Sequence, residues 1–276
     1  MYPSLNPDAL GIQVGFEQGL SLAARHGFSG YHFNLREAAK LGTERVRELA
    51  ETHGVRLAAW GFPVAFRTDE SSYRQSLAEL PELARTAAEL GALKTSAAVI
   101  PYSDELSYRH NFDLHVSRLK PVAEVLNVHG IRLGLEYVGP KTLWSSGRFP
   151  FIHTLVEVLE LCSAIGPNVG VLLDSFHWHT AHETADDLGS LTAEQIVDVH
   201  VNDAPDVPTD EQQDLVRELP GATGVIDIGN FLEAVRASGY DDSVMVEPFS
   251  RRLRDLPPDE SCAETMSALK NVLLAA

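Results

Sequence analysis

Four side chains able to share one cation stand at or near the ends of separate apolar runs: Glu136 in GLEYV, Asp174 closing VGVLLD, His200 within VDVHV and Glu247 closing SVMVE. Each has a plainer use by itself. A carboxylate at a strand end serves as a helix cap or a salt-bridge partner, and a strand histidine as a hydrogen-bonded core residue. Brought to one place, the three carboxylates would repel one another unless a cation neutralised them or their pKa values rose. A bound divalent metal is the simplest remedy. The oxygen-rich set favours Mn²⁺ or Mg²⁺, with Co²⁺ or Zn²⁺ as alternatives, and would leave coordination positions where a carbonyl and a neighbouring hydroxyl could chelate.

Such convergence requires elements that end together. Short apolar, β-branched segments alternate with segments of helical period along the whole chain, the pattern of βα units around a parallel sheet. The spacing predicts strands near 3–7 and over 30–33, 55–62, 93–100, 131–138, 168–174, 197–203 and 243–249. It predicts helices over 16–26, 35–53, 70–90, behind strand four with Leu114, Leu119, Val122, Val125 and Leu126, over 151–165, near 186–196, over 228–238 capped by Asp227, and over 259–275. Glycines 27, 54, 91, 130, 166 and 239 fall where helices should end. Residues 1–276 are read as one (β/α)8-barrel domain, in which strand ends converge on an axial pocket. A doubly wound sheet would bring a Gly-rich phosphate loop, and neither GxGxxG nor GxxxxGK[ST] occurs. The connection after strand seven exceeds the usual loop length, which marks it as functional or mobile.

Composition narrows the partners. A formal charge of −17 repels phosphates and anionic membrane surfaces, so neither nucleic acid nor membrane is expected. No apolar run is long enough to span a bilayer, and the opening MYPSLNPDAL lacks a signal-peptide pattern, so a cytoplasmic location is expected. Cys162 and Cys262 lie in helical patterns without CxxC spacing and read as inert thiols.

At these residues the sequence resembles the sugar phosphate isomerase/epimerase superfamily with the xylose isomerase-like TIM barrel. LEY with Glu136, LLDSFHWH with Asp174 and His177, VHVND with His200, LPGATGVID over 219–227 and VEPF with Glu247 carry the likeness. The resemblance implies one divalent metal held by Glu136, Asp174, His200 and Glu247. It also implies proton transfer by Glu136 and Glu247 across a metal-stabilised enediolate, and substrate contacts from His177 and Arg217. Lys141 in the loop after strand five, with His32 and Trp60 near the ends of strands two and three, are further candidates to line the pocket; solvation or core packing explains them equally. A small carbohydrate-like substrate follows, such as a keto sugar, an inosose or a related polyol. Homo-oligomers are common in the family, and no feature of the chain selects one.

Two departures bear on the substrate. Thr142 stands where ketose 3-epimerases carry a second glutamate, and LPGATG replaces a PGEG-like turn. A dehydratase or lyase on a similar keto-polyol is the near alternative, because one enediolate can be reprotonated or can expel a β-hydroxyl. A multi-zinc apurinic endonuclease is disfavoured, since no histidine follows His200 and the charge opposes DNA.

Overall fold

The computed structural model describes residues 1–275. Eight parallel strands close a barrel in sequence order: β1 (Tyr2–Leu5), β2 (Gly30–Phe33), β3 (Arg56–Gly61), β4 (Lys94–Val99), β5 (Arg132–Tyr137), β6 (Val169–Asp174), β7 (Ile196–His200) and β8 (Ser243–Met245). The expected (β/α)8 barrel is therefore the observed fold. Around it run α1 (Phe16–Arg25), α2 (Leu35–Leu41), α3 (Thr43–His53), α4 (Glu70–Glu89), α5 (Tyr108–Val128), α6 (Lys141–Trp144), α7 (Leu155–Ile165), α8 (Ser175–Thr180), α9 (Ala185–Leu188), α10 (Ile228–Ala237), α11 (Arg251–Arg254) and α12 (Pro258–Ala275). A two-stranded antiparallel ribbon, Tyr102–Ser103 with Phe149–Pro150, sits outside the barrel.

Alternation along the strands decides what faces the axis. In β5, Leu133, Leu135 and Tyr137 are fully buried on one parity while Glu136 takes the other. The same logic sends Leu172 and Asp174 of β6, and Asp198 and His200 of β7, to a common side. Register then levels them. Asp174 pairs with His200, His200 with Met245, and Glu136 with Leu172, two residues below Asp174. No helix among the described residues is long and apolar enough to cross a membrane.

Several expectations about elements change. The strand expected over 243–249 ends at Met245, which leaves Glu247 in the connection that follows it, and the strand expected over 197–203 ends at His200. The helix expected over 35–53 is two helices, because Gly42 adopts φ 85° and ψ 144° and breaks the hydrogen-bond ladder. The helix expected near 186–196 is only Ala185–Leu188. Arg132 draws the carbonyls of Glu194 and Ile196 toward the barrel wall, and Gln195 O accepts from Val171 N, which commits that stretch to turn and strand. Gly166, expected as a left-handed cap, has φ 172° and is extended backbone. Asp227 caps α10 as expected, accepting from Asn230 N at 3.1 Å.

The N-terminus of α7 is held twice. Thr154 and Glu157 form a reciprocal capping box, and Glu183 accepts from Leu155 N at 2.6 Å while taking the Tyr137 hydroxyl at 2.5 Å. Burial pushes the Glu183 carboxyl up to about 7. A raised carboxyl contributes stability that is fully present below its unfolded pKa and lost as pH rises through the folded one. Unfolding midpoints of the wild type should therefore fall between about pH 4.5 and pH 7 by an increment that Glu183→Gln lacks. Parallel urea melts across that range would measure it, and identical profiles would refute the assignment.

Candidate metal centre

Ligand atoms of Glu136, Asp174, His200 and Glu247 all lie within 4.8 Å of one another at the C-terminal end of the barrel. His200 Nδ1 is the hub, 3.8 Å from Glu136 Oε1, 3.9 Å from Asp174 Oδ2 and 3.8 Å from Glu247 Oε2. These spacings are too long for direct hydrogen bonds and suit atoms arranged about a common cation. Glu136 Oε1 and His200 Nδ1 are moreover buried without any hydrogen-bond partner. Buried polar atoms left this way carry a desolvation penalty that a cation would remove. The donor set fits a divalent metal.

The electrostatics also contain a cation of the chain's own. Arg217, 3% exposed, donates from Nη1 to Asp174 Oδ2 at 2.8 Å, with Glu247 Oε2 3.6 Å away. Its Nη2 reaches Asp214 Oδ1 at 2.9 Å and His177 Nε2 at 3.2 Å, and its Nε donates to the Asp214 carbonyl. Phe176 and Phe249 stack on the guanidinium at 4.9 Å and 4.7 Å. Burial alone would raise Asp174, but Arg217 with His177 and His200 outweighs it and holds the carboxyl below the usual range. For Glu136, burial followed by the nearby Glu247 and Asp174 drives the carboxyl well above it. Burial raises Glu247 as well, against the pull of His200 and Arg217. His177 is driven down to about 4 by burial and by Arg217, so it presents a neutral ring.

A cavity of about 430 Å³ opens beside the cluster, and Glu136, His200 and Glu247 form part of its wall. His32 and Trp60 line it as well. Trp60 is also anchored by its indole N–H to the Ala92 carbonyl at 2.9 Å, so packing and lining coincide there. His177 and Arg217 lie in the layer behind the cluster, not on that wall. Lys141 is half-exposed and bound to Asp210 Oδ2 at 2.5 Å, away from the cavity.

Several residues that complete the site escaped the sequence reading. Asn202, fully buried, donates to both Asp174 oxygens at 3.2 and 3.0 Å and accepts from the Glu247 backbone N–H at 2.9 Å. One amide therefore orients two candidate ligands. Asp198 lines the cavity two residues before His200; the period of the strand was the available signal. The long segment after β7 is ordered by Asp203, whose carboxylate accepts from the backbone N–H groups of Ala204, Thr223, Gly224 and Ile226. The PGATG turn wraps that carboxylate, and the segment carries Asp214 and Arg217 into the site.

Comparison with known proteins agrees with this architecture. The model of the xylose isomerase-like TIM barrel family matches residues 20–272. An inosose isomerase of Bacillus velezensis is 26% identical over 254 residues, covering 89% of this chain and 87% of its own. A xylose isomerase domain protein from Alicyclobacillus acidocaldarius superposes with a TM-score of 0.89 at 33% identity, over 100% of this chain and 99% of that one. The IOLI protein, solved with a zinc atom, shares the fold at a TM-score of 0.83 and 22% identity, over 99% and 98% of the two chains.

Removal of the orienting amide should separate folding from metal uptake. Asn202→Ala is expected to weaken divalent-metal affinity by about 10- to 100-fold, read by competitive titration with a chelating dye. Because burial raises the Glu136 and Glu247 carboxyls when metal is absent, protons compete with metal for them, so affinity should also fall as pH is lowered. Unchanged affinity in the variant would remove Asn202 from the site. The chain belongs to the xylose isomerase-like TIM barrel family.

Proposed function

We propose that the chain is a divalent-metal-dependent isomerase or epimerase of a keto sugar, inosose or related polyol, with the whole site carried by one domain. The observation that carries this reading is the quartet of Glu136, Asp174, His200 and Glu247, three of which, Glu136, His200 and Glu247, line a cavity sized for a small molecule. Glu136, Asp174, His200 and Glu247 would hold one ion, with Mn²⁺ or Mg²⁺ favoured by the oxygen-rich set and Zn²⁺ the alternative that the IOLI protein brings to mind. When bound, the ion polarises the substrate carbonyl and lowers the pKa of the adjacent C–H. One glutamate, Glu136 or Glu247, would remove that proton and the other would return it. His177, neutral and fixed against Arg217, keeps the back of the site dry and ordered.

Charge around the cavity favours a neutral polyol over a phosphorylated sugar. Asp8, Glu136, Asp198 and Glu247 line it, and the lining cation among the described residues is Arg36, already paired with Glu79 at 2.9 Å. Arg217 and Lys141 are likewise committed to carboxylates. The similarity to inosose isomerases supports the same substrate class.

Incubation of the Mn²⁺-loaded protein in D₂O with ketoses and keto-inositols tests the reading. Deuterium should enter the carbon beside the carbonyl without loss of water, and Glu136→Gln and Glu247→Gln should each reduce the rate by about 100- to 10,000-fold. An unsaturated ketone or aromatic product would instead establish a dehydratase, and full activity in both variants would refute the site.

A further inference from the structure

A second cavity, of about 510 Å³, lies beside the mouth between the connection that follows β3, the connection that follows β4, and α5. One face of α5 supplies its wall through Asn111, Leu114, His115 and Arg118, spaced as neighbours on a helix surface. Phe66, Ile100 and Leu106 add apolar surface. Two of the polar groups among them are buried. Asn111 is 6% exposed. His115 is 7% exposed; its Nδ1 contacts the Asn111 carbonyl at 2.8 Å, while its Nε2 is buried without a partner.

Arg67 closes the rim of this cavity. Its Nη1 donates to the Ala98 carbonyl at 3.0 Å and its guanidinium lies over Phe66 at 5.4 Å, with no carboxylate of the described residues in ion-pair range. Ala98 also lines the first cavity, so Arg67 stands on the partition between the two. Competing acids are few. Asp69 spends its oxygens on the Ser71 and Ser72 amides and the Ser72 hydroxyl, which leaves Glu105 on the exposed edge. Arg118 is occupied with the Phe66 and Thr68 carbonyls, at 2.8 and 2.6 Å, and holds the loop that presents Arg67.

We propose that this second cavity is a binding site for a small organic carboxylate with an apolar body. The carboxylate would take the free donors of Arg67, the body would lie against Phe66, Ile100 and Leu114, and a polar edge would meet Asn111 and His115. A bare inorganic anion would satisfy the guanidinium but leave the apolar wall unused, whereas a neutral apolar molecule would leave the guanidinium unpaired.

Calorimetric titration of the full chain with sodium benzoate, and separately with its neutral analogue benzamide, tests the site. Benzoate should bind saturably, and benzamide should bind at least about tenfold more weakly. Arg67→Ala, at an exposed position, should weaken benzoate by about tenfold or more without lowering the melting temperature. Leu106→Trp, which fills the cavity and spares the guanidinium, should do the same, and Glu136→Gln should change nothing. Absence of saturable benzoate binding, equal binding of benzamide, or full affinity in Arg67→Ala would overturn the proposal. Loss of binding in Glu136→Gln would overturn it as well, because the carboxylate would then be sitting at the metal centre.

Discussion

The contact between Arg217 and Asp174 is the constraint around which the mouth of this barrel is organised. Both side chains are almost completely buried, and the geometry that places carboxylates on adjacent strands leaves them little water. A buried charge of this kind persists only with a partner and satisfied hydrogen bonds. Arg217 meets that condition by spending its donors on Asp174, Asp214, His177 and the Glu247 carbonyl, with Phe176 and Phe249 on its faces. The repulsion among Glu136, Asp174 and Glu247 is thus divided. The guanidinium stabilises Asp174, while Glu136 keeps a strongly raised carboxyl and an unpartnered oxygen.

That division explains why the remaining polar residues sit where they do. Asn202 fixes Asp174, at the end of β6, and the backbone of Glu247, just after β8, together, so two candidate ligands move as one unit. Asp203, the next residue, gathers the amides of the PGATG turn and sets the path of the segment that returns with Arg217. Two consecutive side chains, alternating across the chain, therefore organise the ligands on one side and the supporting loop on the other. The backbone of Phe249 is bent to φ 45°, an uncommon conformation for a bulky residue, where its ring closes over Arg217.

Where local pattern misled, the cause was tertiary. Leu188, Leu191 and Ile196 are all buried and spaced as one helix would space them, yet Ile196 begins a strand. Arg132, distant in sequence, claims the carbonyls there. Gly42 divides α2 from α3 although the apolar spacing runs through it, because the backbone at that point leaves the helical region. Lys141 was a candidate for the pocket by loop position alone, and Asp210 across the mouth took its charge instead. The PGATG turn, which reads in sequence as part of a sugar site, serves a carboxylate of the chain itself.

The order of apolar and helical segments determined the closed parallel barrel, and the polar strand ends at Glu136, Asp174, His200 and Glu247 were visible without coordinates, because period and strand polarity are local properties of the chain. Asp198 was within reach of the same reasoning, since it shares a strand face with His200. The roles of Arg217 and Asn202 were decided only by the tertiary structure. Arg217 lies 43 residues from Asp174, and Asn202 lies 28 from it and 45 from Glu247. No periodicity links such positions. Closure of the barrel brings them into a common low-dielectric space, where the need to pair every buried charge chooses their partners.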